Sequence, residues 1–187
     1  MPTFCPLFAI IDRMMNNTIR RVNRTKDEAR TSYDRLSRWY DLISGDSEAR
    51  PRQAGLELLD AHPGENVLDI GPGTGHSLAA LAHSVGKTGR VQALDLSPGM
   101  LAVSRVRLEK NSACANVSPA CGDALYLPYL PGAFDAAFSS FNLELFDTPE
   151  IPQVLAECWR VLRLGGRLCV VSLSGAGKSQ AMIKLYE

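Results

Sequence analysis

The sequence has no surplus of charge of either sign: 20 Lys and Arg residues balance 20 Asp and Glu residues across 187 positions. A neutral chain sets up no strong field toward nucleic acid or an anionic membrane, so neither is an expected partner. Arg20, Arg21, Arg24 and Lys26 are followed at once by Asp27 and Glu28, the mixed pattern of a solvated face. Paired cysteine is missing too. Cys5, Cys114, Cys121, Cys158 and Cys169 stand singly, odd in number and with no C-x-x-C spacing. That argues against a disulfide framework or a structural zinc site and points to a reducing, cytoplasmic setting. His62, His76 and His83 form no metal-ligand array, and no pair of catalytic carboxylates is evident. Long hydrophobic runs are absent: the apolar stretch 4–11 lacks a basic leader and is far too short to cross a bilayer. Residues 1–25, with Met14 and Met15 among them, read as an N-terminal extension.

What the chain does have is 45% hydrophobic residues, enough for a real core in one domain. That domain is expected over 26–187, with cap helices at 26–62 and a core at 65–174. Tyr33, Leu36, Trp39, Tyr40 and Ile43 recur at spacings of three and four, which predicts a helix over 26–43. Ser44, Gly45 and Asp46 are expected to stop it, and Pro51 to open a second helix ending near Ala61. From residue 66 an alternating rhythm begins. Strands are expected at 66–70, 90–94, 116–120, 134–139 and 167–173, and helices at 75–85, 98–110 and 149–164. Ser97 caps the second of these helices and Gly165-Gly166 closes the third. Pro119 limits the pairing of the middle strand. Alternation of this kind implies an α/β fold with a doubly wound, mainly parallel sheet and right-handed crossovers.

The chemistry gathers around Val67-Leu68-Asp69-Ile70-Gly71-Pro72-Gly73-Thr74-Gly75. A strand enters a glycine-rich turn and a helix leaves it, so backbone N–H groups can approach a ligand closely. Asp95 falls at the end of the next strand, where a carboxylate can accept from both hydroxyls of a ribose. The third glycine of a dinucleotide fingerprint would fall at position 76, which is His76. Asp69 beside the turn would repel a pyrophosphate and suits a cationic or amine-bearing ligand. The pattern argues against NAD and for S-adenosylmethionine (SAM).

Residues 30–174 resemble a class I SAM-dependent methyltransferase of the type 11 group, near the ubiquinone/menaquinone C-methyltransferases and phospholipid N-methyltransferases. The glycine segment matches the first motif of that family. Ala93-Leu94-Asp95-Leu96-Ser97-Pro98-Gly99-Met100-Leu101 matches the second, and Cys121-Gly122-Asp123-Ala124 the third. Phe134-Asp135-Ala136-Ala137-Phe138-Ser139-Ser140 and the segment from Arg160 to Leu168 resemble the fourth-strand motif and the turn into the fifth strand. The resemblance implies a Rossmann-like fold with SAM as cofactor. It assigns Asp69, Gly71, Gly73, Gly75, Asp95, Leu96, Met100, Asp123, Ala124 and Ser139 to the cofactor. Tyr33-Asp34 and Tyr40-Asp41 resemble pairs on the N-terminal helix that folds over it, which adds Tyr33 and Tyr40; helix packing is the alternative for both tyrosines. No catalytic residue is assigned. Phe141, Leu143, Leu145 and Phe146 make the loop after the fourth strand apolar, as a hydrophobic, quinone- or lipid-like acceptor would require; core packing explains them equally well.

Three departures stand out. Leu164 replaces the usual proline before the glycines, and the N-terminal segment lacks the M-N and H…W elements of the quinone enzymes. The chain ends at Glu187, before the sixth and seventh strands, an antiparallel hairpin, would be complete. The expected consequence is a shortened sheet whose fifth strand is an open edge, covered by a homodimer contact or a partner. Gly175-Ala176-Gly177-Lys178-Ser179 imitates a phosphate loop but has Ser172 where that motif needs glycine. Two rival readings are an NAD(P)-binding oxidoreductase and a non-catalytic, partner-dependent SAM-binding protein.

Overall fold

The computed structural model describes residues 25–37, 39–110 and 116–172, with the side chains of 41–47 left aside. Residues 1–24 of the N-terminal extension, Cys5 among them, Cys114, the phosphate-loop imitation at 175–179 and the expected continuation at 181–187 lie outside the described residues.

Strands β1 (Asn66–Ile70), β2 (Arg90–Asp95), β3 (Val117–Cys121), β4 (Phe134–Ser140) and β5 (Leu162–Val171) form one sheet in the order β3-β2-β1-β4-β5. Every pairing is parallel, with Val67 opposite Val91 on one side and opposite Ala136 on the other. The first two crossovers build outward from β1 to β3; the chain then returns to the far side of β1, so the order reverses between β1 and β4. Open α/β sheets bind ligands at such a reversal. Among the described residues β3 pairs with β2 alone, which is how it tolerates Pro119.

Period-two alternation sends successive strand residues to opposite faces. Val67, Val91, Ala136 and Phe138 pack with Leu59, Leu78, Leu81 and Val85 on one face. Leu68, Ile70, Leu94 and Ala137 pack with Val154, Cys158 and Val161 on the other. Burial on both faces accounts for the near-continuous apolar runs in these strands. Helices α3 (His76–Val85), α4 (Pro98–Lys110) and α5 (Ile151–Val161) supply the covering layers with α2 (Tyr40–Leu59). Cys158 is one of these packing residues, and burial pushes its thiol up to about 12, so it stays an apolar filler.

Two boundaries differ from the sequence expectation. The single helix over 26–43 is two helices: α1 (Lys26–Leu36), closed at Ser37, and α2, which starts at Tyr40. Ser44, Gly45 and Asp46 do not break α2, and Pro51 sits inside it. Its C-terminal half is clamped to β4 and β5. Gly55 lies so close to the sheet that a Cβ there would come 2.3 Å from the Val171 side chain. This packing overrides the local breakers.

The helix expected to 164 ends at Val161, and β5 begins at Leu162 instead of 167. Leu162 pairs with Phe134, whereas Arg167 pairs with Ala136, so five residues oppose two. Gly165 and Gly166 serve a bulge in the strand, not a helix cap. Leu164 is 98% exposed at this bulge, which explains why a proline is dispensable there. Among the described residues, no helix is long and apolar enough to cross a membrane.

Candidate functional site

The C-terminal ends of β1 to β4 open into a cavity of about 270 Å³, roofed by α1 and α2. Asp95, the last residue of β2, organises it. One carboxylate oxygen accepts the Gly73 N–H at 3.0 Å and the other accepts the Ser97 N–H at 2.9 Å. An ionised carboxylate has about four acceptor directions, so each oxygen retains capacity toward the cavity. Burial pushes the Asp95 pKa up and nearby Asp34 adds to the rise, while the Ser97 and Gly73 N–H groups oppose it. The Ser97 hydroxyl accepts the Met100 N–H at 3.1 Å and donates to Asp34 on α1 at 2.5 Å. Asp34 also accepts the Gly99 N–H at 2.9 Å. The glycine turn, the acid, the start of α4 and the roof helix are thus one hydrogen-bonded unit.

The glycines in the turn have different duties. The Gly71 N–H donates to the Leu94 carbonyl at 2.8 Å, and a Cβ on Gly71 would come 2.5 Å from Asn142. The residue after Phe141 is therefore seated against the turn. Gly75 adopts φ of +86° at the N-cap of α3, and a Cβ there would meet the Ser104 Cβ at 2.7 Å and its Cα at 3.0 Å. It lets α3 approach α4 and does not line the cavity. Gly75→Ala is expected to lower stability by about 2 kcal/mol through left-handed strain and overlap with backbone. The measurement is the urea midpoint at constant m; an unchanged midpoint would show that the two helices can part without cost.

Asp123, just beyond β3, accepts the Leu125 N–H at 3.0 Å and is ion-paired with Lys26 at the start of α1. Lys26 also lies 3.6 Å from Glu150 and 6.0 Å from the centre of the Phe146 ring. It can sit there because Thr25 and Glu28 form a capping box that fixes the first turn of α1. Tyr33 and Tyr40, on separate helices, have ring centres 6.3 Å apart and both face the cavity.

Of the residues expected at the site, Gly71, Gly73, Asp95, Leu96, Met100, Asp123, Ala124, Tyr33 and Tyr40 line the cavity; Asp69, Gly75 and Ser139 do not. Asp69 is fully buried behind the turn. Ser139 is buried and donates to the Ile70 carbonyl at 3.2 Å, and its neighbour Ser140 takes the lining position. Leu143 packs against the core without lining the cavity, Phe146 does both, and Phe141 and Leu145 line the cavity.

Sequence reasoning missed Lys26, Glu48 and Arg52, and it gave Asn142 no role of its own beyond its place in the loop 140–146 expected to shape the acceptor pocket. Glu48 and Arg52 are four apart, a helical spacing that the expected break at 44–46 obscured. His76, which shares the wall, has its Nδ1 3.2 Å from an Arg107 guanidinium nitrogen.

The wall carries five carboxylates, Glu48, Asp95, Asp123, Asp147 and Glu150, against three full cations, Lys26, Arg30 and Arg52. That balance suits a cationic nucleoside and opposes a pyrophosphate.

Comparison with known proteins agrees with this geometry. The methyltransferase-domain family matches residues 67–166. A demethylmenaquinone methyltransferase of Listeria welshimeri is 32% identical over 154 residues, which is 82% of this chain and 63% of that protein. A ubiquinone/menaquinone biosynthesis C-methyltransferase of Teredinibacter turnerae is 36% identical over 134 residues, 72% of this chain and 53% of that protein. The chain thus spans little more than half to under two thirds of these curated relatives. Among solved structures, a SAM-dependent methyltransferase from Aquifex aeolicus superposes with a TM-score of 0.63 at 21% identity, over 80% of this chain and 85% of that one. The cyclase SpnF superposes with 0.66 at 22% identity, over 83% and 65%. These two establish the fold alone, and the cyclase shows that one fold can host different reactions.

Proposed function

The chain belongs to the class I SAM-dependent methyltransferases, of the ubiquinone/menaquinone C-methyltransferase-like type, and from that membership we propose that it transfers the methyl group of SAM to a small hydrophobic acceptor of quinone or lipid character. The observation that carries this reading is the Asp95 carboxylate, half-buried at the end of β2 and holding the glycine turn with one oxygen while facing the cavity.

The residues fit the cofactor. Asp95 would take the ribose hydroxyls. Leu96 and Met100 would flank the adenine, and Asp123 with the Ala124 N–H would read its edge. Gly71 and Gly73 would let the methionyl arm lie against backbone. In the described conformation Lys26 already holds one oxygen of Asp123, so an adenine amino group would share that carboxylate with the lysine or displace it. SAM supplies a methyl group already activated on a sulfonium. The protein's task is then alignment and exclusion of water. Phe141, Leu145 and Phe146 line the β4 side of the cavity and Tyr33 and Tyr40 close the roof, an apolar enclosure suited to a hydrophobic acceptor. Ser140, at the end of β4, lines the cavity in place of Ser139, which the resemblance assigned to the cofactor.

Calorimetric titration tests the cofactor, and label transfer from methyl-labelled SAM to a demethylmenaquinol tests the acceptor class. The expected results are heat with SAM and with its demethylated product, none with NADH, and label in the quinol. Binding of NADH with no response to SAM would replace this reading with an oxidoreductase. Tight SAM binding without transfer to any quinol or lipid acceptor would leave a non-catalytic binding protein.

A further inference from the structure

We infer that Lys26 is a two-position latch: it holds Asp123 against the adenine of the cofactor and passes to Glu150 when that base enters. The inference rests on the proposed placement of the adenine amino group at Asp123, and it makes Lys26 the residue that sets how selectively the base is taken. Lys26 opens α1. A cation there faces the positive end of the helix macrodipole, where acids are favoured, and the next two residues, Asp27 and Glu28, follow that rule. Helix stability therefore does not account for the lysine; its reach does. The capping box at Thr25 and Glu28 fixes the first turn, and from it the ammonium pairs with Asp123 and lies 3.6 Å from Glu150. All three groups line the cavity.

Both oxygens of Asp123 are engaged. One accepts the Leu125 N–H at 3.0 Å and the other accepts from Lys26. An amino group donating to that second oxygen stands beside the ammonium, two donors of like partial charge at one acceptor. The lysine has somewhere to go. Its flexible four-carbon stem needs to move by only about 0.8 Å to reach a charge-assisted distance of about 2.8 Å from Glu150. Glu150 is held in place for it: one oxygen accepts the Asp147 N–H at 3.1 Å, and the other is the one nearer Lys26. The helix itself can stay where it is, because Asp34 fastens α1 to the Ser97 hydroxyl and the Gly99 N–H independently of Lys26. The handover is thus a side-chain exchange between two carboxylates. The Lys26 side chain is 40% exposed, so dissolved salt reaches the pair and weakens it.

Calorimetry with two uncharged nucleosides tests the latch: 5′-methylthioadenosine, which carries the 6-amino group, and 5′-methylthioinosine, which has a carbonyl in its place. With no ligand charge involved, removing a cation from the wall acts only through contacts. Lys26→Met keeps most of the stem and loses the ammonium. It should bind 5′-methylthioadenosine about two- to fivefold more tightly than wild type, the worth of a partly exposed ion pair, and 5′-methylthioinosine no more tightly. Glu150→Gln still accepts the Asp147 N–H; it should weaken 5′-methylthioadenosine about twofold on its own and have no effect in the Lys26→Met background. Raising NaCl from about 0.05 to about 0.5 M should tighten 5′-methylthioadenosine about twofold in wild type, because salt loosens the pair that the base must break. That gain should be absent from Lys26→Met. A salt response equal in the two proteins, or a variant that binds 5′-methylthioadenosine no more tightly than wild type, overturns the latch and leaves the cofactor assignment standing. Wild type taking up neither nucleoside, or both equally, overturns the latch together with the placement of adenine at Asp123; failure to bind SAM as well overturns the cofactor reading.

Discussion

Replacing Asp95 with Asn is expected to weaken SAM by at least about 100-fold. Two ribose hydroxyls donating to one carboxylate are charge-assisted bonds of about 1.5–3 kcal/mol each, so about 3–6 kcal/mol is at risk. Asn is the informative change because it keeps the shape. One carboxylate oxygen becomes an NH₂ group, yet in the protein one oxygen accepts the Gly73 N–H and the other the Ser97 N–H. Whichever way the amide turns, it faces a backbone donor with a donor. The loss therefore has two parts: the direct contact with the ribose, and a loosened glycine turn. Asp95→Ala removes the contact without adding that repulsion, so it should bind SAM no worse than Asn does. Calorimetry on both variants checks this ordering. Affinity within a few-fold of wild type in both would remove Asp95 from the site and with it the main support for the cofactor reading.

Legibility in the sequence followed how local each determinant is. β1 falls where apolar content and the following glycines put it, because a strand buried on both faces is written as an uninterrupted run. The start of α4 was equally plain: Ser97 and Pro98 are capping chemistry that acts within four residues. The glycine turn and Asp95 could be paired in advance because consecutive parallel strands deliver their ends to the same edge. The roof is hard to read from sequence for the opposite reason. Ser44, Gly45, Asp46 and Pro51 are local breakers, and α2 overrides them through contacts with β4 and β5, which lie about 80 to 120 residues later in the chain. With the helix misdrawn, Glu48 fell into an expected loop and its spacing from Arg52 lost its meaning. Likewise the α5–β5 junction depends on pairing between Leu162 and Phe134, which no helical period can reveal. Ser139 and Ser140 show the finest failure. Period-two alternation puts neighbours on opposite sides, and a family motif fixes the strand end without fixing which serine faces the ligand.

Gly75 and Asn142 add a related point about motifs. The pattern assigns the third glycine of the turn to the cofactor, but in the structure it lets two helices approach. Asn142 belongs to no assigned motif, yet it stands against Gly71 where the turn meets the β4 loop. Motif membership identified the neighbourhood; packing distributes the roles within it. The acceptor-side wall, contributed by the β4 loop and the roof, is accordingly the part least determined by the shared motifs, and the place where relatives with one cofactor can diverge in substrate.

The second large effect concerns Asp69, which the turn hides. Its carboxyl is fully buried, and among the described residues neither oxygen has a hydrogen-bond partner. Burial raises its pKa from 3.8 to about 7; the Ser77 hydroxyl opposes the rise through a contact too loose to satisfy either oxygen, Asp95 adds to it and Arg52 opposes it. Below pH 3.8 both folded and unfolded chains hold the proton. Between 3.8 and about 7 the unfolded chain releases it while the folded chain keeps it, so stability falls as pH rises, and the loss is complete above about 7. At 1.36 kcal/mol per pH unit the displacement corresponds to about 4 kcal/mol, an upper bound because a buried site relaxes. Asp69→Asn cannot ionise and should escape this loss. Its urea-derived stability relative to wild type should therefore improve by up to about 4 kcal/mol between pH 4 and pH 8. The relative measure matters because Glu65, where burial is outweighed by Arg167 and the His62 N–H, and Glu157, held down by Arg160, both titrate low and make the fold less stable in acid. Those contributions are common to both proteins and cancel. Parallel pH curves would show that Asp69 is ionised in the fold after all. A diverging pair would place an uncompensated acid directly behind the glycine turn, beside Arg52 and Asp95, where a core residue chosen for stability alone would be apolar.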